Sequence, residues 1–460
     1  MCAKDFPMKQ FSGVLILLLW PLIGSAQYSG GGDLNPGLQS NQESLKEFLD
    51  MRFGMFIHWG PVALKGKEIS WSRGREIPIE EYDKLYLDFN PESFSARDWV
   101  GAAKAAGMKY LIITSRHHDG FSLWDSQYTE YDMAATPYGK GILKELSEEC
   151  ARQGIRFGTY YSICDWYRDD YPVEYPAPDY SFNEVRELDP ERRIQMNHYI
   201  TFMKNQLTEL VQEYNSFLIW FDGEWEWAWT HEMGSELYAF LRELDETLLI
   251  NNRVDKGREG MEDQSRSAAF AGDFATPEQQ VGAFDNQYAW ETCMTIGEQW
   301  AWKPGDKLKS TSECIHTLLQ TIGGDGNLLL NIGPMPDGRM EQRQVERLAE
   351  IGQWLSINGE AVYGTRGGPY LPGRKMVSTH KENRIFLHLL SGPGKKLVLP
   401  LKEDVAVKRV AFLEGDAPLE FTRKKDSVIL KLPGKLPDER ATVVVLTLDC
   451  PASDLDLINL

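Results

Sequence analysis

From about Asn41 to Thr365 the chain alternates short β-branched or aromatic runs with longer stretches whose apolar positions recur every three or four residues. The short runs predict strands over Phe53–His58, Tyr110–Ser115, Arg156–Ser162, Phe217–Asp222, Leu248–Asn252, Tyr288–Glu291 and Leu328–Ile332. The periodic stretches predict helices over Ser95–Ala106, Ile142–Gln153, Glu191–Tyr214, Glu236–Glu246, Ser312–Ile322 and Glu341–Ile357. Ser95 and Ser312 are the expected N-caps, and Gly107, Gly154 and Gly323 the expected helix stops. Strand and helix in alternation need crossover connections, hence a parallel sheet. So many units in one stretch predict a closed (β/α)8 barrel over residues 41–370.

Past Tyr363-Gly-Thr-Arg-Gly-Gly-Pro369 the pattern changes. Alternating runs at Ile385–Leu390, Lys396–Leu399, Val407–Phe412, Val428–Leu432 and Thr442–Thr447 are separated by turn residues at regular intervals. They predict a small antiparallel β-sandwich over residues 371–460. At the other end, Lys4 and Lys9 precede the apolar run Val14–Ile23, and Gly24-Ser-Ala26 follows it. A basic start, a short apolar stretch and small residues predict a cleaved secretory signal over residues 1–26, then a loose Gly-rich leader over 27–40. The run is well short of the ~20 residues a spanning helix requires. Export to a periplasm or the exterior is the expected outcome, with no membrane insertion.

Composition narrows the partner. A net charge of −19 argues against nucleic acid and against an anionic membrane surface, both of which call for basic residues. A neutral substrate suits such a chain. Five cysteines remain after Ala26, scattered and without a CxxC pair, so neither a disulfide framework nor a zinc set is indicated. Most of them are expected to be buried small hydrophobes. The count of 14 Trp admits sugar-stacking platforms, although any single Trp is more often core.

Candidate chemistry collects at the carboxyl ends of the predicted strands, where barrel enzymes place their sites. Phe217-Leu-Ile-Trp-Phe-Asp222 delivers one carboxylate at the end of an apolar strand, and burying it demands partners. His58 ends the first strand, His117 and His118 end the second, Tyr160 lies in the third, Trp220 in the fourth, and Arg253 follows the fifth. Directional donors with an aromatic platform suit a neutral polyol. Taken singly, each His also fits a satisfied core residue. His58, His117 and His118 show no metal-ligand spacing, so sugar binding is favoured over a metal, and no cofactor is called for.

The strings RFGMFIHWG, HHDGF, YYS, WFDG, NNR, WETCMTI, NLLLNIGP and NGEAVYGT, in this order between Arg52 and Thr365, resemble the α-L-fucosidases of glycoside hydrolase family 29. With the export signal, the chain resembles a secreted bacterial member. The resemblance implies a (β/α)8 barrel followed by a β-sandwich, and hydrolysis of terminal α-L-fucose from glycans with retention and no cofactor. It makes Asp222 the nucleophile and has His58, His117, His118, Tyr160, Trp220 and Arg253 hold the sugar. The family's Glu-Trp pair corresponds to Glu68 and Trp71, which are not adjacent here. The acid/base is expected on the loop Val254–Gln287, among Glu259, Glu262 and Glu278; Glu278 fits best, with Glu291 as its rival or as a supporting residue. Such a mechanism needs two carboxyl groups ~5–5.5 Å apart. Two other readings compete: an exo-glycosidase for a galactose-configured sugar, and a fucose-binding protein without catalysis.

Overall fold

The computed structural model describes residues 40–177, 187–258, 260–264, 271–392 and 394–460. The predicted signal (1–26), all of the leader but Ser40, and Glu259 lie outside the described residues. Seven parallel strands form the first sheet: β1 (Phe53–Ile57), β2 (Tyr110–Arg116), β3 (Arg156–Ser162), β4 (Leu218–Asp222), β5 (Leu249–Ile250), β6 (Glu291–Thr295) and β7 (Asn327–Ile332). Their order is β5-β4-β3-β2-β1-β7-β6.

The described residues therefore form a seven-stranded sheet and not the expected closed eight-stranded barrel. Hydrogen-bonded ladders run through seven strands, and among the described residues no ladder joins β5 to β6. Residues 273–278 run through that opening and make only isolated bridges, Asn251 to Phe274, Ala275 to Trp290 and Glu278 to Cys293. Pro277 lacks the N–H that a ladder through this segment would use.

The strands bury both faces, as parallel strands do. One set of side chains turns inward: Phe56, Ile112, Tyr160, Leu218, Trp220, Leu249, Cys293 and Leu329 share a cluster with Phe274. Helix α1 (Gln42–Met51), which the sequence pattern did not announce, adds Leu45, Phe48 and Leu49 to this cluster at the amino ends of the strands. Buried Arg52 closes the same end. It pairs with Asp325 and donates to the backbone carbonyls of Thr365, Asp325 and Gly326. Gly54 is obligatory in β1, because a Cβ there would lie 2.3 Å from the Tyr110 ring.

The outward set, including Met55, Ile57, Leu111, Ile113, Phe221 and Leu330, packs under the helices. These are α2 (Ile79–Tyr82), α3 (Ala96–Ala105), α4 (Leu143–Gln153), α5 (Pro190–Gln212), α6 (His231–Leu244), α7 (Thr311–Gly323) and α8 (Gln342–Asn358). Ser95 caps α3 as expected, and Gly154 ends α4 at φ 75°. The cap of α7 is Ser310 rather than Ser312. Ser310 accepts from the Glu313 backbone N–H while the Glu313 carboxylate accepts in return. No described helix is long and apolar enough to cross a membrane.

Two antiparallel sheets follow, one of five strands and one of three. The larger holds β8 (Arg366–Gly367), β9 (Met376–Lys381), β10 (Arg384–Leu389), β12 (Val407–Phe412) and β15 (Thr442–Leu448). The smaller holds β11 (Lys396–Pro400), β13 (Phe421–Arg423) and β14 (Ser427–Lys431). Ile385, Leu387, Val444 and Leu446 of the first meet Leu399, Val428 and Leu430 of the second in one buried cluster. Because strand side chains alternate, Phe386 and Val443 face the other way and join the core under the helices.

Candidate active site

A cavity of about 520 Å³ opens at the carboxyl ends of the strands. Its wall takes His58, Glu68, Trp71, His117, Tyr160, Trp220, Asp222, Arg253 and Glu278 from the sequence-predicted set. Asp222 is the last residue of β4, and the inward parity that places Leu218 and Trp220 in the core continues to it. Gly223 then turns at φ 102°, and a Cβ there would strike the Cys164 sulfur at 2.4 Å.

Arg253 organises the acids. Its Nη1 donates to Asp222 Oδ1 and its Nη2 to Glu278 Oε2, each at 2.8 Å. Its Nε donates to Thr276 Oγ1 at 2.8 Å, and the guanidinium lies 4.4 Å from the centre of the Trp220 ring. The cation is held by the segment that fills the sheet opening and by the aromatic below it. Burial pushes the Asp222 carboxyl up, but the Arg253 charge and the adjacent His118 and Arg258 outweigh it, holding the group well below the usual carboxylate range. Tyr160 Oη donates to Asp222 Oδ2 at 3.3 Å, and His118 Nε2 lies 3.5 Å from the same oxygen.

The three histidines are each fixed through Nδ1: His58 to Asn331 Oδ1 at 2.6 Å, His117 to Ser70 Oγ at 2.7 Å and His118 to Ser162 Oγ at 2.6 Å. Burial lowers His58 to about 3 and His117 well below its ordinary value, so both rings are neutral. A neutral imidazole whose Nδ1 is engaged leaves Nε2 to meet a hydroxyl as donor or acceptor. His117 also stacks on Tyr160, 5.1 Å between ring centres at 7°. The Glu68 carboxylate accepts from the backbone N–H groups of Trp300 and Ala301, at 2.9 and 3.1 Å, while burial raises its carboxyl.

Two predicted members do not border the cavity. His118 is fully buried behind Asp222 and meets the carboxylate rather than the open space. Glu291 shares the inward face of β6 with Cys293, but two residues earlier, about 6.6 Å deeper. There it accepts from Tyr110 Oη and from Trp220 Nε1, the latter at 3.2 Å, and burial raises its carboxyl to about 8. Of the two rival glutamates, Glu278 alone reaches the cavity, its side chain 14% exposed beside Asp222 at 15%.

The cavity wall also contains residues the sequence reading did not assign: Phe56, Glu224, Arg258, Met261, Cys293 and Trp300. Phe56 was legible in principle, since it sits at inward parity near the end of a predicted strand, whereas Cys293 lies beyond the predicted strand Tyr288–Glu291, in the middle of the one that forms. Trp300 and Met261 come from loops and carried no periodic signal. Cys293 was expected to be a buried small hydrophobe, and it is buried; Cys150, Cys164 and Cys314 are buried likewise, and Cys450 is partly exposed.

A polyol-sized cavity with paired carboxylates over a parallel sheet is the arrangement of a glycoside hydrolase. The α-L-fucosidase family model matches residues 34–360, and the chain belongs to that family. Tissue α-L-fucosidase of Rattus norvegicus is 27% identical over 432 residues, 87% of this chain and 89% of its own. Among solved structures, α-L-fucosidase isoenzyme 1 from Paenibacillus thiaminolyticus is 31% identical with a TM-score of 0.77, spanning 88% of this chain and 99% of that one. A family 29 α-L-fucosidase from Bacteroides thetaiotaomicron, solved as a trapped covalent intermediate, is 26% identical with a TM-score of 0.80, spanning 93% and 99%.

Proposed function

We propose that this enzyme releases terminal α-L-fucose from glycans by double displacement with net retention. The carrying observation is that Asp222 and Glu278 border one cavity on the two arms of Arg253. In the first step Asp222, kept ionised, attacks the anomeric carbon as the glycosidic C–O bond breaks, and Glu278 gives its proton to the leaving oxygen. In the second, Glu278 takes a proton from water, whose oxygen displaces Asp222 and restores both groups. To give up its proton Glu278 has to swing off Arg253, which its partial exposure allows. The trapped covalent intermediate of the Bacteroides relative supports this route.

His58, His117, Tyr160, Trp220, Glu68 and Trp71 hold the sugar, and His118 positions Asp222. Phe56 and Trp300, each packed against His58, offer an apolar wall for the fucose methyl. The N-terminal pattern supports cleavage after Ala26 and export; N-terminal sequencing of the mature chain checks that part.

The deciding experiment follows hydrolysis of an aryl α-L-fucoside by NMR, with the β-D-galactoside in parallel. The α anomer of fucose appears first, and the galactoside turns over far more slowly. First release of the β anomer, or preference for the galactoside, overturns the reading.

A further inference from the structure

We propose that Glu224 and Arg258 form the subsite that grips the departing sugar. This rests on the fucosidase reading above. Arg258 Nε donates to Glu224 Oε1 at 2.8 Å, both residues line the cavity, and their side chains are 8% and 3% exposed. Among the described residues each keeps one polar atom without a partner: Glu224 Oε2, an acceptor, and Arg258 Nη1, a donor. Buried polar atoms are normally satisfied, and groups left open beside a cavity are those a ligand completes.

Position assigns the ligand's identity. Glu224 lies two residues beyond Asp222, past the Gly223 turn, so it stands outward of the strand end, on the loop side of the cavity with Trp225, Arg258 and Met261, where an exo-acting enzyme leaves room for the rest of the glycan. An acceptor beside a donor, held together by their own ion pair, complements two neighbouring hydroxyls of a neutral sugar. One hydroxyl donates to Glu224 while the other accepts from Arg258. Trp225 and Met261, on the same wall, supply apolar surface for the sugar's C–H face; Met261 is 48% exposed. The pair carries no net charge and offers one acceptor beside one donor, which matches a neutral hexose or N-acetylhexosamine.

The test compares an α-L-fucosyl-hexose with cyclohexyl α-L-fucoside. With the hexose linked through a ring hydroxyl, both leave as secondary alkoxides and both need a general acid, but only the first offers further hydroxyls. Wild-type kcat/KM should favour the disaccharide by about tenfold or more. Glu224→Gln and Arg258→Gln should each cut that ratio by about tenfold while the Ki of free L-fucose moves by no more than about twofold. The double variant, which leaves no lone buried charge, should show the same loss and stands in for any single variant that fails to fold.

A wild-type enzyme without the preference, or variants that keep it, overturns the proposal. So does a parallel loss of fucose affinity, which would make the pair part of the fucose pocket. Wild-type inactivity on every fucoside would instead overturn the fucosidase reading, and this proposal with it.

Discussion

Asp222 and Glu278, 56 residues apart, are joined through a single guanidinium, with one arm of Arg253 on each carboxylate at 2.8 Å. One strand end and one irregular segment thereby acquire a common reference. Arg253 is also the strongest influence opposing burial at Asp222. Lysine cannot span both carboxylates as the planar fork does. In Arg253→Lys the depressed Asp222 pKa should rise. In the proposed mechanism Asp222 works ionised, so the acid limb of kcat/KM should move to higher pH. An unmoved limb would show that Arg253 does not set the charge state of Asp222.

Asp222→Gly should lose on the order of 10³-fold or more in kcat while staying folded. Azide fits the space of the missing carboxylate and should restore turnover with the β-fucosyl azide as product, identified by NMR. Near-normal rates in a folded variant refute the nucleophile assignment.

Glu278 and Glu291 separate by leaving group. A phenolate departs with little protonation, whereas a sugar alkoxide needs the acid. Glu278→Ala should damage a fucosyl-disaccharide far more than an activated aryl fucoside, and azide should give the retained α-fucosyl azide. Glu291→Ala, which frees the Trp220 indole from its anchor, should lower both substrates alike. The reverse pattern would exchange the two roles.

Glu291 also carries a stability signature. Its carboxyl is raised by burial to about 8, so between its unfolded value near 4.5 and 8 the folded chain binds the extra proton. Stability is then full below the lower value and falls as pH rises through the upper one. Glu291→Gln mimics the protonated form and removes this dependence. Melting temperatures of wild type and variant should diverge in the variant's favour from pH 5 to pH 9. A constant difference would show that Glu291 does not bind a proton on folding.

The strands that were legible are those rich in aliphatic and aromatic residues. β1, β2, β3, β4 and β7 fall within a residue or two of their predicted ends, because burial on both faces favours Ile, Leu and aromatics along most of each run. β6 was displaced. Tyr288–Glu291 looked like the strand, yet the ladder with β7 runs from Glu291 to Thr295. A run with two threonines gives no apolar signal, and partner strands on the edge of an open sheet decide its register.

By itself the sequence determined the parallel architecture, the antiparallel sheets after it, and the delivery of His58, Tyr160, Trp220 and Asp222 to strand ends, since period and parity are local properties of the chain. Tertiary structure alone decided that among the described residues no ladder joins β5 to β6, that residues 273–278 carry Glu278 into the opening, and that His118 and Glu291 stand behind the cavity rather than in it. Those outcomes depend on contacts between residues far apart in sequence. Arg253 meets Glu278 because a loop returns to it, and Glu291 sits one inward step below Cys293 because β7 sets the register of β6.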